Sequence, residues 1–156
     1  MSPFGPKIAI DPDGVWLVDG DPVVHPTVLA ELVGRLARRP DGTHVIRAGG
    51  GEVAIDVAEA PFVVRTLEVE RGADGRIARL DARLSDGTEE VIDPGSLRRL
   101  AAPAAGPDGA RFACSVKGGR FEARLSRFAT YRLLAEAEPT DDGRARLETT
   151  RGTVVL

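Results

Sequence analysis

The sequence predicts an α+β fold in which one β-rich module occurs twice, and three observations support this. Seven Asp-Gly pairs punctuate the chain, two segments space apolar residues as helices do, and the pattern repeats after about 67 residues. Asp-Gly supplies the positive φ of tight hairpin turns, so short strands should flank many of these pairs. The pairs begin at Asp13, Asp19, Asp41, Asp74, Asp86, Asp108 and Asp142.

The segments between the turns are typical of strands, because several of them alternate apolar and polar residues. The predicted strands are residues 7–10, 15–18, 52–57, 62–70, 76–84 and 144–149.

Two helices are predicted from residue spacing. The first runs from Pro26 to Arg38, since proline suits the first helical turn. Its apolar face consists of Val28, Leu29, Leu32, Val33 and Leu36. The second covers residues 126–137, with Ser126 as its N-cap. Its apolar side is expected to consist of Phe128, Tyr131, Leu134 and Ala135.

The repeat indicates an internal duplication. Asp19 and Asp86 lie 67 residues apart, and the tetrapeptide Val-Val-His-Pro at 23–26 matches Val-Ile-Asp-Pro at 91–94. We therefore divide the chain into two lobes, residues 1–75 and 76–156, each with a helix or helical turn. Neither half is long enough to bury a large core alone, so we expect the lobes to pack together and to leave a groove between them.

Composition excludes several classes of protein. The chain has 21 basic and 24 acidic residues and a net charge of -3, which disfavours a protein that neutralises many phosphates. A single cysteine, Cys114, permits neither a disulfide framework nor a thiolate zinc site, and a buried, inert thiol is expected. The N-terminus has no signal-peptide pattern and no apolar run is long enough for a membrane span, so a cytoplasmic protein is expected.

No metal, cofactor or catalytic motif stands out. His25 and His44 lie too far apart in sequence for a metal motif. The glycine run at 49–51 precedes a strand rather than a helix, which indicates a turn instead of a phosphate cradle. No nucleophile and base are suitably spaced, so an enzyme is not expected. Four aspartates resemble a calcium loop but lack its final Glu: Asp11, Asp13, Asp19 and Asp21.

Four sequence blocks, followed by Arg127 and Tyr131, resemble a known family. The blocks are Ile-Asp-Pro-Asp-Gly-Val-Trp at 10–16, Gly-Asp-Pro-Val at 20–23, Ala-Glu-Ala-Pro-Phe-Val at 58–63 and Val-Lys-Gly-Gly-Arg-Phe-Glu-Ala at 116–123. Together they resemble the bacterial domain-of-unknown-function family 1285 (DUF1285). The resemblance implies a duplicated α+β core, a second lobe similar to pleckstrin-homology-like barrels, a binding site between the lobes and a role in bacterial signalling.

The strongest candidate site is a cluster of arginines. In a strand, Arg120, Glu122 and Arg124 share one face, and Arg127 with Tyr131 follows at the start of the second helix. Guanidinium groups arranged in this way can clamp a carboxylate or phosphate. The alternative is a solvated face whose charges pair with each other.

Three further residues complete the candidate wall of the groove: Glu59, Phe62 and Trp16. Trp16 is either an aromatic platform or a core residue. We therefore expect a non-catalytic binding or regulatory module that takes a protein segment or a small anionic ligand in the groove. A nucleic-acid-binding protein is the alternative, and a small enzyme is the least favoured.

Overall fold

The protein has an α+β fold of two compact units. The structure, a computed structural model, describes residues 5–101 and 111–156. Unit 1 is Met1–Pro61 and unit 2 is Phe62–Leu156. The sequence suggests a division after residue 75, which lies inside unit 2, in the turn between its two longest strands. These two strands pair with each other along most of their length.

Unit 1 contains two small sheets. Its elements are β1 (Ile8–Ile10), β2 (Trp16–Val18), β3 (Asp21–Pro22), α1 (Pro26–Gly34), β4 (Leu36–Arg38), β5 (His44–Ala48), β6 (Gly51–Ala54) and β7 (Asp56–Val57). One sheet has the order β3-β2-β1-β7 and the other β4-β5-β6. The chain passes from one sheet to the other at Ile55, which interrupts the strand predicted at 52–57. The Ile55 N–H donates to the carbonyl oxygen of His44 at 3.0 Å.

The core of unit 1 is formed by large apolar side chains from both sheets. They are Ile8, Ile10, Trp16, Leu36, Val45, Ile46 and Ile55.

The first predicted helix is too long. Helix α1 ends at Gly34, with Arg35 as its C-cap, and the chain then enters β4. Leu36, which fits the helical spacing, is buried instead as a strand residue paired with Ile46 of β5. The helix itself has no buried residue, and Val28 is exposed. The predicted apolar face therefore does not pack as one surface.

Unit 2 is built around a nine-stranded sheet. Its elements are β8 (Phe62–Arg71), β9 (Ile77–Leu84), β10 (Glu89–Ile92), a 3₁₀ turn (Pro94–Ser96), β11 (Arg98–Leu100), β12 (Arg111–Val116), β13 (Phe121–Leu125), α2 (Arg127–Ala135), β14 (Glu138–Pro139), β15 (Ala145–Thr149) and β16 (Gly152–Val155). The main order is β11-β12-β13-β8-β9-β15-β14, with β10 added to β9 and β16 added to β15. The largest fully buried residues are Phe62, Phe112, Ile77, Leu80, Leu84, Ile92, Leu133 and Leu147.

Helix α2 confirms the second predicted helix, but a different side of it packs. Ser126 is its N-cap, and the Ser126 Oγ accepts a hydrogen bond from the Ala129 N–H at 3.1 Å. The buried residues are Ala129, Thr130 and Leu133. Phe128 and Tyr131, expected on the packed side, are exposed, because the small Ala129 and Thr130 allow this side of the helix to approach the sheet closely.

The Asp-Gly pairs lie in turns as predicted. Asp19-Gly20 joins β2 to β3, Asp74-Gly75 joins β8 to β9, and Asp86-Gly87 joins β9 to β10. At Asp41, Asp74 and Asp86 the aspartate side chain accepts the N–H two residues later, as Asp74 Oδ1 does from Arg76 at 3.0 Å. The predicted turn at Asp108 lies outside the described residues.

Candidate functional site

Strand β13 places the predicted charged residues on the side opposite the core. Phe121, Ala123 and Leu125 are buried, whereas Glu122 and Arg124 between them are half-buried. The strand pairs antiparallel with β12 and parallel with β8, so both its edges are held by backbone hydrogen bonds. Glu122 and Arg124 thus stand on a fixed backbone.

Arg120 precedes β13 and takes a different direction. It lies in the turn between β12 and β13 and is exposed. Its guanidinium carbon is 5.1 Å from the centroid of the Phe121 ring, which is a cation–π distance. The Arg120 guanidinium therefore packs against the Phe121 ring. It does not continue the strand face that carries Glu122 and Arg124.

Some of the predicted charges are paired within the protein. The Arg98 Nη2 of β11 donates to Glu122 Oε1, and the two residues form a salt bridge. The Arg124 Nη1 donates to the carbonyl oxygen of Leu125 at 3.1 Å. Glu122 is therefore paired within the protein, with Arg98, as the alternative interpretation of a self-paired charged face expects.

Helix α2 presents a continuous exposed side, which we call the outer face of α2: Arg127, Phe128, Tyr131, Arg132 and Ala135. Because a helix turns about 100° per residue, these five lie on the side opposite the buried Ala129, Thr130 and Leu133. Phe128 is 67% exposed and Tyr131 is 56% exposed.

The arginines at the two ends of the outer face of α2 differ in their partners. Arg127 is exposed, and within residues 5–101 and 111–156 its side chain has no ion-pair or hydrogen-bond partner. Arg132 donates to Glu136 Oε1 at 2.7 Å, and Arg71 of β8 donates through Nε to Glu136 Oε2 at 2.9 Å. These hydrogen bonds, from Arg132 and then Arg71, lower the pKa of Glu136.

The remaining predicted residues do not form an exposed wall. Trp16 is 2% exposed and lies opposite Ile10 in the β1–β2 pair, and Phe62 is 0% exposed. The Phe62 and Phe121 rings are 5.8 Å apart between centroids. Both Trp16 and Phe62 are therefore core residues of their own units. Glu59 is exposed in the segment that follows β7.

A polar contact that the sequence does not predict fixes the turn before Arg120. The Lys117 Nζ donates to Asp86 Oδ2 and to Thr88 Oγ1, each at 2.8 Å, and lies 5.2 Å from the Phe62 ring centroid. We call Lys117, Asp86 and Thr88 the turn clasp, since they join the β9–β10 turn to the β12–β13 turn. Lys117 has a φ of +56°, which is uncommon for a residue other than glycine.

The turn clasp also sets the ionisation of Asp86. Burial raises the pKa of this carboxyl, but the hydrogen bonds from Lys117 and Thr88 outweigh burial and hold the pKa below its usual value. The Lys117 N–H further donates to Glu90 Oε1 at 2.9 Å, and the Arg120 N–H donates to the Lys117 carbonyl oxygen at 3.3 Å. The clasp thereby positions the backbone of Arg120.

The single cysteine is buried, as the sequence predicts. Burial, assisted by the charges of Glu90 and Glu122, raises the pKa of the Cys114 thiol to about 12, so the thiol stays protonated at neutral pH. Among the described residues no three His, Cys, Asp or Glu side chains converge as metal ligands. In the same part of the chain, no helix has the length and apolar character needed to cross a membrane.

Comparison with solved structures confirms the resemblance to DUF1285. The fold matches the crystal structure of a DUF1285 family protein from Silicibacter pomeroyi with a TM-score of 0.77 and 25% sequence identity, over 94% of this chain and 77% of that chain. It also matches a DUF1285 family protein from Shewanella baltica with a TM-score of 0.61 and 17% identity, over 83% of this chain and 91% of that chain. No family model and no curated protein matches the sequence.

Proposed function

We propose, from the premise that this chain shares its fold with DUF1285 family proteins, that it is a non-catalytic binding module for an anionic partner. The partner is a protein segment or a small anionic ligand, and a role in bacterial signal transduction fits the family resemblance. The observation that supports this best is Arg127, an exposed guanidinium without a partner among the described residues, one turn from the exposed Tyr131. Arg98 and Arg132, in contrast, are paired with carboxylates.

The chemistry of arginine supports an anionic partner. A guanidinium binds a carboxylate or phosphate through two parallel hydrogen bonds, which adds geometric specificity to the charge attraction. The proposed site is centred on Arg127 and Tyr131 of α2, which are both exposed. Arg120, which is exposed, and Arg124, which is half-buried, are secondary candidates for contact with the partner. Trp16 and Phe62 are left out because their rings are inside the cores.

We also propose that the two units descend from one duplicated module. In unit 1, β1 pairs antiparallel with β2 and parallel with β7. In unit 2, β8 pairs antiparallel with β9 and parallel with β13. The sheet β4-β5-β6 and the part β11-β12-β13 of the nine-stranded sheet each follow chain order, which supports matching β1–β7 to β8–β13.

The connections support the same duplication. Helix α1 starts at Pro26 after the N-cap His25, and the 3₁₀ turn starts at Pro94 after the N-cap Asp93. Superposition of the two units should pair these prolines, and a best superposition that separates them would argue against duplication. We further propose, from the family resemblance, that unit 2 is pleckstrin-homology-like, which its extensive sheet with one packed helix supports.

Charge reversal at Arg127 tests the proposed binding function. The probes are pyrophosphate, followed by calorimetry, and a fluorescein-labelled glutamate-rich peptide, followed by fluorescence anisotropy at low salt. The wild-type protein should bind at least one probe, and Arg127→Glu should weaken that binding about tenfold or more.

Arg76→Glu is the matched control, since Arg76 is also an exposed arginine of unit 2 and lies in the β8–β9 turn. The control should bind as the wild type does. The proposal fails if the wild type binds neither probe, or if the two variants behave alike. Binding of a single-stranded oligonucleotide in preference to both probes would instead support the nucleic-acid alternative, which the net charge of -3 disfavours.

A further inference from the structure

The outer face of α2 exposes two large aromatic rings side by side. Phe128 and Tyr131 are three residues apart, so they are neighbours on the helix surface, and more than half of each side chain is accessible. Ala135, one helical turn after Tyr131, continues the same face. Its side chain is small, so it does not cover the ring of Tyr131. Adjacent exposed aromatic residues of this kind mark interaction surfaces more often than isolated exposed apolar residues do.

The charge around these rings is positive. Helix α2 itself, Arg127–Ala135, contains no acidic residue, although the whole chain carries a net charge of -3. Arg127 and Arg132 flank the rings on the helix. Arg65 of β8 is exposed. Its carbonyl oxygen accepts the Ser126 hydroxyl at 2.9 Å, which places its backbone beside the N-terminus of α2.

The Glu136 carboxylate at the end of α2 does not cancel this charge. Glu136, at the C-cap of α2, is shared by two arginines, Arg71 and Arg132. These three groups together keep a net positive charge, and Arg127 and Arg65 add to it. An occupant of the outer face of α2 therefore needs negative charge as well as an apolar part.

We propose that the outer face of α2 binds an acidic polypeptide segment that carries an apolar anchor side chain. The anchor lies on Phe128 and Tyr131, and carboxylates of the segment pair with Arg127 and Arg65 at the N-terminal end of the helix. This inference rests on the proposed binding function and names the partner for it. A small anion would not contact the two aromatic rings. A nucleic acid normally binds along a longer basic surface than this short helix provides.

Two labelled peptides of equal charge test the inference with the full-length protein. Both are glutamate-rich; one has a leucine at its centre and the other has an alanine there. The wild type should bind the leucine peptide about tenfold or more tightly than the alanine peptide. Phe128→Ala and Tyr131→Ala should each reduce affinity for the leucine peptide about fivefold or more, and leave affinity for the alanine peptide nearly unchanged.

The matched control is Val91→Ala, which removes another exposed apolar side chain, in β10 of the same unit. It should bind both peptides as the wild type does. Urea unfolding of each variant checks that the fold is kept, which is expected because the substituted side chains are exposed.

Separate outcomes overturn the inference and the proposed function. If Phe128→Ala binds the leucine peptide normally while Arg127→Glu loses it, the aromatic part is wrong and the anionic-partner proposal stands. If Arg127→Glu binds every probe normally, the proposed function itself is wrong. If the wild type prefers oligothymidine, or phosphatidylserine-containing vesicles, over both peptides, the face has a different partner and the inference is overturned.

Discussion

The turn clasp should make a measurable contribution to the stability of unit 2. The carboxyl group of Asp86 is 3% exposed and the Lys117 side chain is 20% exposed. Replacing Lys117 by Met keeps the length of the side chain but leaves the buried carboxylate without its cation. Breaking a fully buried pair in this way costs about 3–5 kcal/mol. Because Lys117 is partly exposed and Thr88 still donates two hydrogen bonds to Asp86, we expect a loss of about 2 kcal/mol.

The loss should depend on pH in a defined direction. The native pKa of Asp86 is lowered, so its stabilising contribution is complete above the unfolded value of about 4 and is lost as pH falls through the native pKa. Urea unfolding of wild type and Lys117→Met should therefore differ most near neutral pH and converge in acid. Lys117→Gly should be less destabilised than Lys117→Met, since glycine adopts the positive φ without strain.

Lys7→Met provides the control for this prediction. Lys7 lies 3.9 Å from Asp56, and both side chains are more than three-quarters exposed, so its removal should leave the urea midpoint unchanged. If Lys117→Met is no less stable than Lys7→Met, or if its deficit is the same at every pH, the turn clasp does not act as described.

Three further predictions concern α2 and the core of unit 2. Ser126→Ala removes the side chain that accepts the Ala129 N–H and should cost about 1 kcal/mol in urea unfolding; an unchanged midpoint would contradict the capping role. Arg127→Glu replaces a cation at the positive end of the helix dipole by an anion, so it should raise the urea midpoint by the equivalent of about 0.3–1 kcal/mol while it lowers binding, and a drop in stability would contradict this. Cys114 should react with a thiol reagent only as fast as the protein unfolds, because it is buried with a raised pKa; fast labelling of the native protein would contradict its burial.

Local features of the fold were predictable from the sequence. The Asp-Gly turns were correct in the described residues because the aspartate side chain and the positive φ of glycine define the turn without distant partners. The N-cap Ser126 was correct for the same reason. The strand that carries Glu122 and Arg124 is confirmed as β13, because its apolar and charged residues alternate, whereas Arg120 lies in the turn before it.

Features that depend on tertiary contacts were not predictable. Leu36 fits both a helix and a strand, and its pairing with Ile46 decides for the strand. Helix α2 has apolar residues on all sides, so its spacing does not reveal that Ala129 and Thr130 face inward. The contact of Lys117 with Asp86 joins two turns 31 residues apart, and neither turn alone indicates it. Lys117 before two glycines indicates a tight turn, and this local pattern does not name a partner for the lysine.

The interruption at Ile55 bears on how unit 1 opens. Strands β6 and β7 belong to different sheets, each of which has only three or four short strands. Hydrogen bonds along one sheet therefore do not extend into the other, and each sheet keeps only a short ladder of its own. Amide protons of β4–β6 should exchange with deuterated solvent earlier than those of β8 and β9, whose long ladder must separate as a whole.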